Sequence, residues 1–201
     1  IEREDVILDS PLSSPFEASG TLAQWRDGIG VLVSGHTRGV LAVSIAFSGP
    51  LLRMVGGGGG GVNLYGQSSR GKSTLASACA SVWGKGVSGG FVRQWRSTAN
   101  AVEALAALVS DTVLVLDELG TVDAAAASAA IYSLANGQGK GRAGREGGLR
   151  QSATWCANIL STGEIPLDAK LAEDKGKAIK AGQQVRLLDI PADAGYGFGC
   201  F

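Results

Sequence analysis

Eight consecutive residues, Gly66-Gln67-Ser68-Ser69-Arg70-Gly71-Lys72-Ser73, follow a short β-branched and aromatic run and open a helical stretch, in the order G-x-x-x-x-G-K-[ST]. No other feature constrains the fold as much, because the pattern requires a strand before it and a helix N-terminus after it. The glycines admit backbone conformations that a β-carbon forbids, so successive amides can point at one anion beside the helix dipole. Lys72 would then reach the β- and γ-phosphates as a point charge, and the Ser73 hydroxyl would ligate magnesium. The expected nucleotide-binding set is Gly66, Gln67, Ser68, Ser69, Arg70, Gly71, Lys72, Ser73 and the adjoining Thr74, with ATP and Mg2+ as ligands.

Downstream, Thr112-Val113-Leu114-Val115-Leu116-Asp117-Glu118 is a run of buried-strand type that ends in two acids. A metal-nucleotide site needs a carboxylate at the C-terminal edge of such a strand. Asp117 is thus the expected magnesium-ordering carboxylate, and Glu118 the group that polarises an attacking water. A core strand closed by an acidic turn explains the same letters, but it leaves their position after the phosphate loop without a reason. The 45 positions from Lys72 to Asp117 are too many for one helix and hold helix, strand and helix. An extra strand before the acid strand, with Glu next to Asp, is the arrangement of the additional-strand, catalytic-glutamate ATPases. No Asn/Thr-Lys-x-Asp guanine-reading motif is present, which favours ATP.

Around these motifs, short β-branched runs alternate with helical stretches, the signature of a parallel sheet with crossover helices. Strands are expected at Val62–Tyr65, Phe91–Trp95, Thr112–Leu116, Thr154–Leu160 and Val185–Ile190, and helices at Lys72–Val82, Ala99–Val109, Ala124–Ala135 and Pro166–Ile179. The fold class is α/β, a three-layer P-loop NTPase with about five parallel strands. Residues 1–55 read as an irregular lead-in and a small helical subregion, with helical periodicity from Thr21 and a second apolar segment from Thr37 to about Leu52. Gly56–Gly61 reads as a flexible joint and 62–201 as the ATPase domain.

Two further groups of residues are candidates with two readings each. In Leu160-Ser161-Thr162-Gly163-Glu164, Ser161 or Thr162 is placed to act as a polar sensor of the γ-phosphate or the attacking water; alternatively these hydroxyls cap the helix near Pro166. The segment 136–150 holds Lys140, Arg142, Arg145 and Arg150 against one acid and is too rich in glycine to pack a core. It reads as a mobile loop that orders on phosphate, either a neighbouring subunit's nucleotide or a nucleic-acid backbone, or else as a plain solvated loop. Arg186 is either a second arginine supplied across a subunit interface or a structural ion-pair partner. His36, Asn63 and the four tryptophans read as structural.

Composition sets outer limits on these readings. The 18 basic and 18 acidic residues cancel, so any nucleic-acid contact must be local rather than a property of the whole chain. Three scattered cysteines and one histidine indicate neither a disulfide framework nor a zinc site. The apolar stretch Val40–Val55 is interrupted by Ser44, Ser48, Gly49-Pro50 and Arg53, so it does not read as a membrane span, and a cytoplasmic location is expected. The chain starts at Ile1, has its one methionine at Met54 and stops within a glycine-aromatic run, the pattern of a segment excised from a longer protein.

At these residues the chain resembles the P-loop ATPase family catalogued as domain of unknown function 927, found in phage- and plasmid-type helicase- and primase-related proteins. The resemblance runs from about Gly20 to the C-terminus. It rests on Leu64 through Thr74, Trp95-Arg96-Ser97-Thr98-Ala99-Asn100, Leu116 through Gly120, Leu134 through Lys140, Leu160 through Glu164, and Arg186 through Ala192. It implies a helicase-like ATPase that acts as a homo-oligomer on single-stranded DNA in mobile-element replication, joined to a primase-type module elsewhere in a longer polypeptide. Because the family includes inactivated helicase derivatives, a nucleotide-dependent switch or assembly module is the alternative it implies. A small-molecule kinase is a third reading, for which no acceptor-binding signature is present. The six-glycine run and the stop at Phe201 depart from the family pattern and imply a C-terminally incomplete domain.

Overall fold

A computed structural model describes residues 13–143, 149–150, 152–174 and 186–201, with 142–143 and 149–150 described by backbone alone. Five strands, β1 (Gly60–Tyr65), β2 (Val92–Gln94), β3 (Val113–Asp117), β6 (Asn158–Gly163) and β7 (Leu187–Pro191), form one sheet in the order β2-β3-β6-β1-β7. Every pairing in it is parallel. The strand bearing the phosphate-loop motif and the strand bearing Asp117 are therefore not neighbours, because β6 lies between them. The strand expected from the 45-residue spacing, β2, is present but lies at the sheet edge beside β3, and the strand inserted between β1 and β3 is β6, which follows Asp117 in sequence. The chain forms a three-layer α/β domain of the P-loop type.

Helices α4 (Lys72–Ala80), α5 (Ala99–Leu108), α6 (Ala124–Asn136) and α7 (Leu167–Ala172) are the crossovers. Three starts carry local signals. Thr98 and Asp123 cap α5 and α6 by accepting from the amides of Ala101 and Ala126, and the left-handed Gly71 leads into α4. Helix α3 (Thr37–Met54) packs against α4, β3 and β6, while α5, α6 and α7 pack in succession. The all-parallel sheet is thus covered on both faces, and β3 is apolar and buried from Val113 to Leu116.

Several boundaries differ from those expected. Strand β1 starts at Gly60, two residues before the expected Val62, so Gly60 and Gly61 belong to the sheet rather than to a joint. A β-carbon on Gly61 would lie 1.9 Å from the carbonyl oxygen of Ile159, which is why this strand begins with glycine. Ala42 and Ala46 of α3 share one core with Leu64, Leu75 and Leu114, so the helical subregion and the sheet form one packed unit. Strand β6 starts at Asn158 rather than Thr154 and runs through Thr162, which puts both candidate sensor hydroxyls inside the strand. Helix α7 ends at Ala172, and the remainder of the expected Pro166–Ile179 helix from 175 on lies outside the described residues.

In its described parts the cationic segment has paired backbone. Its base is a ribbon: Gln138 bridges Thr154, and β4 (Arg142–Ala143) pairs antiparallel with β5 (Leu149–Arg150). Among the described residues no helix is long and apolar enough to cross a membrane.

Candidate functional site

The C-terminal ends of β1, β3 and β6 and the start of α4 surround a cleft of about 590 Å3. Its lining includes Ser68 to Thr74, Asp117, Glu118, Thr162 and Glu164. The expected phosphate loop, lysine and two acids, far apart in sequence, thus converge on one cleft. At its floor the Lys72 ammonium, almost fully buried, donates to the carbonyl oxygens of Gly66 and Gln67, each at 2.7 Å. Those carbonyls hold the cation over the loop, where an anion would be met by its charge. Gly71 sits at φ +83° and Ser69 at φ +61°, the left-handed bends that turn the loop amides toward the cleft.

The Ser73 and Asp117 side chains meet across the cleft, Oγ to Oδ1 at 3.5 Å. A hydroxyl and a carboxylate are hard oxygen ligands, and a magnesium ion there would complete its octahedron with water and phosphate oxygens. The donor set therefore fits Mg2+. Among the described residues no cluster of three or more His, Cys, Asp and Glu side chains is arranged to hold a metal.

Glu118 is exposed in the cleft wall and holds a left-handed backbone, φ +64°, ψ +59°. For a residue with a side chain that conformation costs about 1–2 kcal/mol. It is maintained by its neighbours: the Glu118 amide donates to Thr162 Oγ1 at 3.3 Å, and its carbonyl accepts from the amide and hydroxyl of Thr121 at 3.0 and 2.8 Å. Strain fastened at a cleft residue is a mark of function.

Of the two sensor candidates, the structure brings one to the site. Thr162 donates its hydroxyl to Asp117 Oδ1 and lines the cleft. Ser161, one residue earlier, points to the other side of the sheet. There it accepts from Trp95 Nε1 at 2.9 Å and donates to Asn63 Oδ1 at 2.9 Å. Asn63 Nδ2 passes the chain to Asp189 Oδ1 at 2.7 Å, and the Asp189 carboxylate accepts from the Leu167 amide at the start of α7. Ser161 is fully buried, and this polar chain satisfies its hydroxyl, so it is corrected from sensor candidate to structural residue. The helix-capping alternative also fails for both hydroxyls, because Asp189 supplies the acceptor at that helix start.

Sequence reasoning missed two contributors. Glu164 Oε1 accepts from Ser68 Oγ at 2.6 Å, closing one side of the cleft over the loop. The segment 193–201 folds back along the phosphate loop: the Cys200 amide donates to Arg70 O at 2.9 Å, and Arg70 also binds the Gly197 carbonyl. The Asp193 carboxylate organises this return, accepting from the amides of Gly195, Tyr196, Gly197 and Gly199 and lying 3.6 Å from Arg70 Nη1. These amide bonds, led by Gly197 and Gly199, hold its carboxyl below the usual carboxylate range. The only sequence signal was Asp followed by alternating glycines, which suits such a nest.

The cationic candidates stand elsewhere. Lys140 is exposed and its amide faces Glu103 Oε2 at 3.4 Å, while Arg142 and Arg150 oppose each other in the β4–β5 register. Arg145 lies outside the described residues. The Arg186 guanidinium sits over the Tyr132 ring of the same chain, 4.9 Å from its centroid, a cation–π contact. None of the described cationic candidates lines the cleft. The four indole N–H groups all have acceptors within the fold: Ser81 Oγ for Trp25, Ala46 O for Trp83, Ser161 Oγ for Trp95 and Leu134 O for Trp155.

A parallel sheet with β6 between the loop strand and the acid strand, and a glycine-bent loop entering α4, define a domain of the P-loop α/β class. The chain belongs to the family described as domain of unknown function (DUF927), whose model matches residues 2–154. That match begins earlier than the expected Gly20 and ends before β6. A solved structure described as an active helicase, SCCmec type IV Cch, is similar to this chain with a TM-score of 0.68 and 28% sequence identity. The similarity covers 91% of this chain and 34% of that one, so the chain spans about a third of the helicase's length. No curated protein matches the chain. The domain is therefore helicase-related.

Proposed function

We propose that this domain binds and hydrolyses ATP with Mg2+ as the motor part of a helicase acting on DNA in phage- or plasmid-type replication. The observation that carries the reading is the meeting of Ser73 and Asp117 at 3.5 Å beside the buried Lys72. Lys72 and the loop amides from Gly66 to Thr74 hold the β- and γ-phosphates. A magnesium ion held there would supply positive charge to offset the charge that develops on the transferring phosphate. Ser73 and Asp117 hold the ion, and Thr162, through its hydroxyl to Asp117, keeps that carboxylate aimed. Glu118 accepts a proton from the water that attacks the γ-phosphorus, the bond to the β,γ-bridging oxygen breaks, and ADP and phosphate leave. The strained turn at Glu118 holds its carboxylate at the cleft rim instead of along the strand axis.

In the same reading, the cationic segment 136–150, with Lys140, Arg142, Arg145 and Arg150, meets single-stranded DNA or a neighbour's nucleotide. The domain works as a homo-oligomer in the cytoplasm, attached to a primase-type module; the greater length of the helicase chain to which it is similar supports a place within a longer polypeptide. Arg186, stacked on Tyr132, is the second arginine offered to a neighbour's phosphate.

The test is magnesium-dependent ATP turnover with and without single-stranded DNA. Lys72→Ala is expected to remove both binding and turnover, and Glu118→Gln to retain binding while turnover falls about 100-fold or more. Turnover unchanged in Lys72→Ala defeats the assignment. Turnover that ignores DNA points instead to a nucleotide-dependent switch or assembly module.

A further inference from the structure

A second cleft, about 580 Å3, adjoins the first and contrasts with it in chemistry. It lies between α4 and the helical turn that precedes α3, and is lined by Ile29, Leu32, Val33, His36, Ala78 and Phe201, with Thr74 at the end that it shares with the phosphate cleft. Helix α1 (Leu22–Trp25) continues into a π-helical turn, Arg26–Gly30, and then α2 (Val31–Val33). The wider turn shifts the apolar positions that follow it, and such insertions gather at functional sites. The Trp25 indole bonded to Ser81 Oγ at 2.9 Å pins this stretch against the end of α4. Leu32 is nonetheless 71% exposed at the cleft, an apolar side chain without a cover.

We infer that this cleft receives the nucleobase of the nucleotide whose phosphates enter the neighbouring loop. The inference rests on the phosphate-site reading and goes beyond it, because it assigns base binding to residues that precede β1 and to Phe201. Three observations lead to a base. The two clefts share Thr74, two residues beyond Lys72, and Ala78 lies one helical turn further along the same face of α4, so a ligand held at Lys72 passes Thr74 to enter the second cleft. The Phe201 ring covers the loop itself, since a β-carbon on Gly71 would lie 2.5 Å from Phe201 Cε2. His36 and Phe201 meet edge to face with centroids 5.6 Å apart, forming an aromatic corner suited to a flat ring. The lining is mostly hydrocarbon, so recognition is by stacking and dispersion, with His36 as its titratable group.

Binding of MgATP and of magnesium tripolyphosphate to the full chain, which differ by the nucleoside, tests this directly. ATP should bind at least about tenfold more tightly than tripolyphosphate. Leu32→Asp, on an exposed position, and Ala78→Leu, which fills the cleft, should remove that advantage and leave tripolyphosphate binding unchanged. Photolabelling with 8-azido-ATP should mark residues 29–36, Ala78 or Phe201. The inference is overturned if the two ligands bind alike to the unaltered chain, if both variants keep full ATP affinity or lose both ligands, or if the label falls outside the cleft. Failure of the unaltered chain to bind either ligand would instead sink the phosphate-site reading, and the base pocket with it.

Discussion

Two glycine clusters lie on either side of β1, and they are glycine-rich for opposite reasons. Before and into the strand, Gly61 is held at an ordinary strand conformation, and its missing side chain leaves room for the Ile159 carbonyl of β6. After the strand, Gly71 has a left-handed backbone with the loop open on one side to the cleft. Gly59 and Gly61 of the first cluster serve packing, and Gly71 of the second serves backbone direction. Similar composition therefore carries two different penalties on substitution, one paid in the core and one at the site.

The largest effect should come from Gly61→Ala. A methyl group 1.9 Å from a central-strand carbonyl forces β1 and β6 apart, and the expected loss is about 3 kcal/mol, read as a lower urea midpoint. If the midpoint stayed put, the packing explanation for the first cluster would be wrong. Gly71→Ala should cost less stability, about 1 kcal/mol for the left-handed strain, yet weaken ATP binding about tenfold, because the Phe201 ring must move and the loop amides turn. Equal losses of stability in the two variants would erase the distinction between the clusters.

The return segment 193–201 sharpens the site half of the comparison through pH. The Asp193 carboxyl is held below its unfolded value, so its contribution is fully present above the usual carboxylate pKa of about 4 and is lost as pH falls through the lower folded value. Hydrogen exchange at the Gly195, Tyr196, Gly197 and Gly199 amides should lose protection only in that acid range, and Asp193→Asn should lose it already at neutral pH. Protection in Asp193→Asn equal to that of the unaltered chain would break this link. The smallest effect belongs to Gly58→Ala. Nothing lies within 4 Å of a β-carbon there and its backbone is ordinary, so stability should change by no more than about 0.5 kcal/mol, in the stabilising direction if at all.

Much of the fold was legible because it is written in local periodicity and at short range. The strand before the loop, the helices after Gly71, Thr98 and Asp123, and the acid at the end of an apolar strand each need only a few neighbouring residues to be recognised. The presence of β2 was legible from the chain length between Lys72 and Asp117, but that β6 and not β2 would lie between β1 and β3 was not. What escaped were features set by partners far away in sequence: Gly60 and Gly61 look like linker until Ile159 is placed beside them, and the segment 136–150 looks like a loop until Gln138 meets Thr154.

The same division holds at the site. The loop proposed to hold phosphate through its backbone, Gly66 to Ser73, was set by sequence, since bond geometry at glycine and the dipole of the helix that follows act over one turn. The choice between Ser161 and Thr162 was not, because adjacent strand residues face opposite ways and only the register of β6 between β1 and β3 decides which hydroxyl meets Asp117. Tertiary structure likewise brought Phe201 onto Gly71, His36 beside it and Glu164 over Ser68. The sequence by itself determined a phosphate-loop α/β domain with an acid strand across from it. Which side chains complete the cleft was decided only by the packing of segments dozens of residues apart, because side-chain direction depends on register and on contacts that no local pattern records.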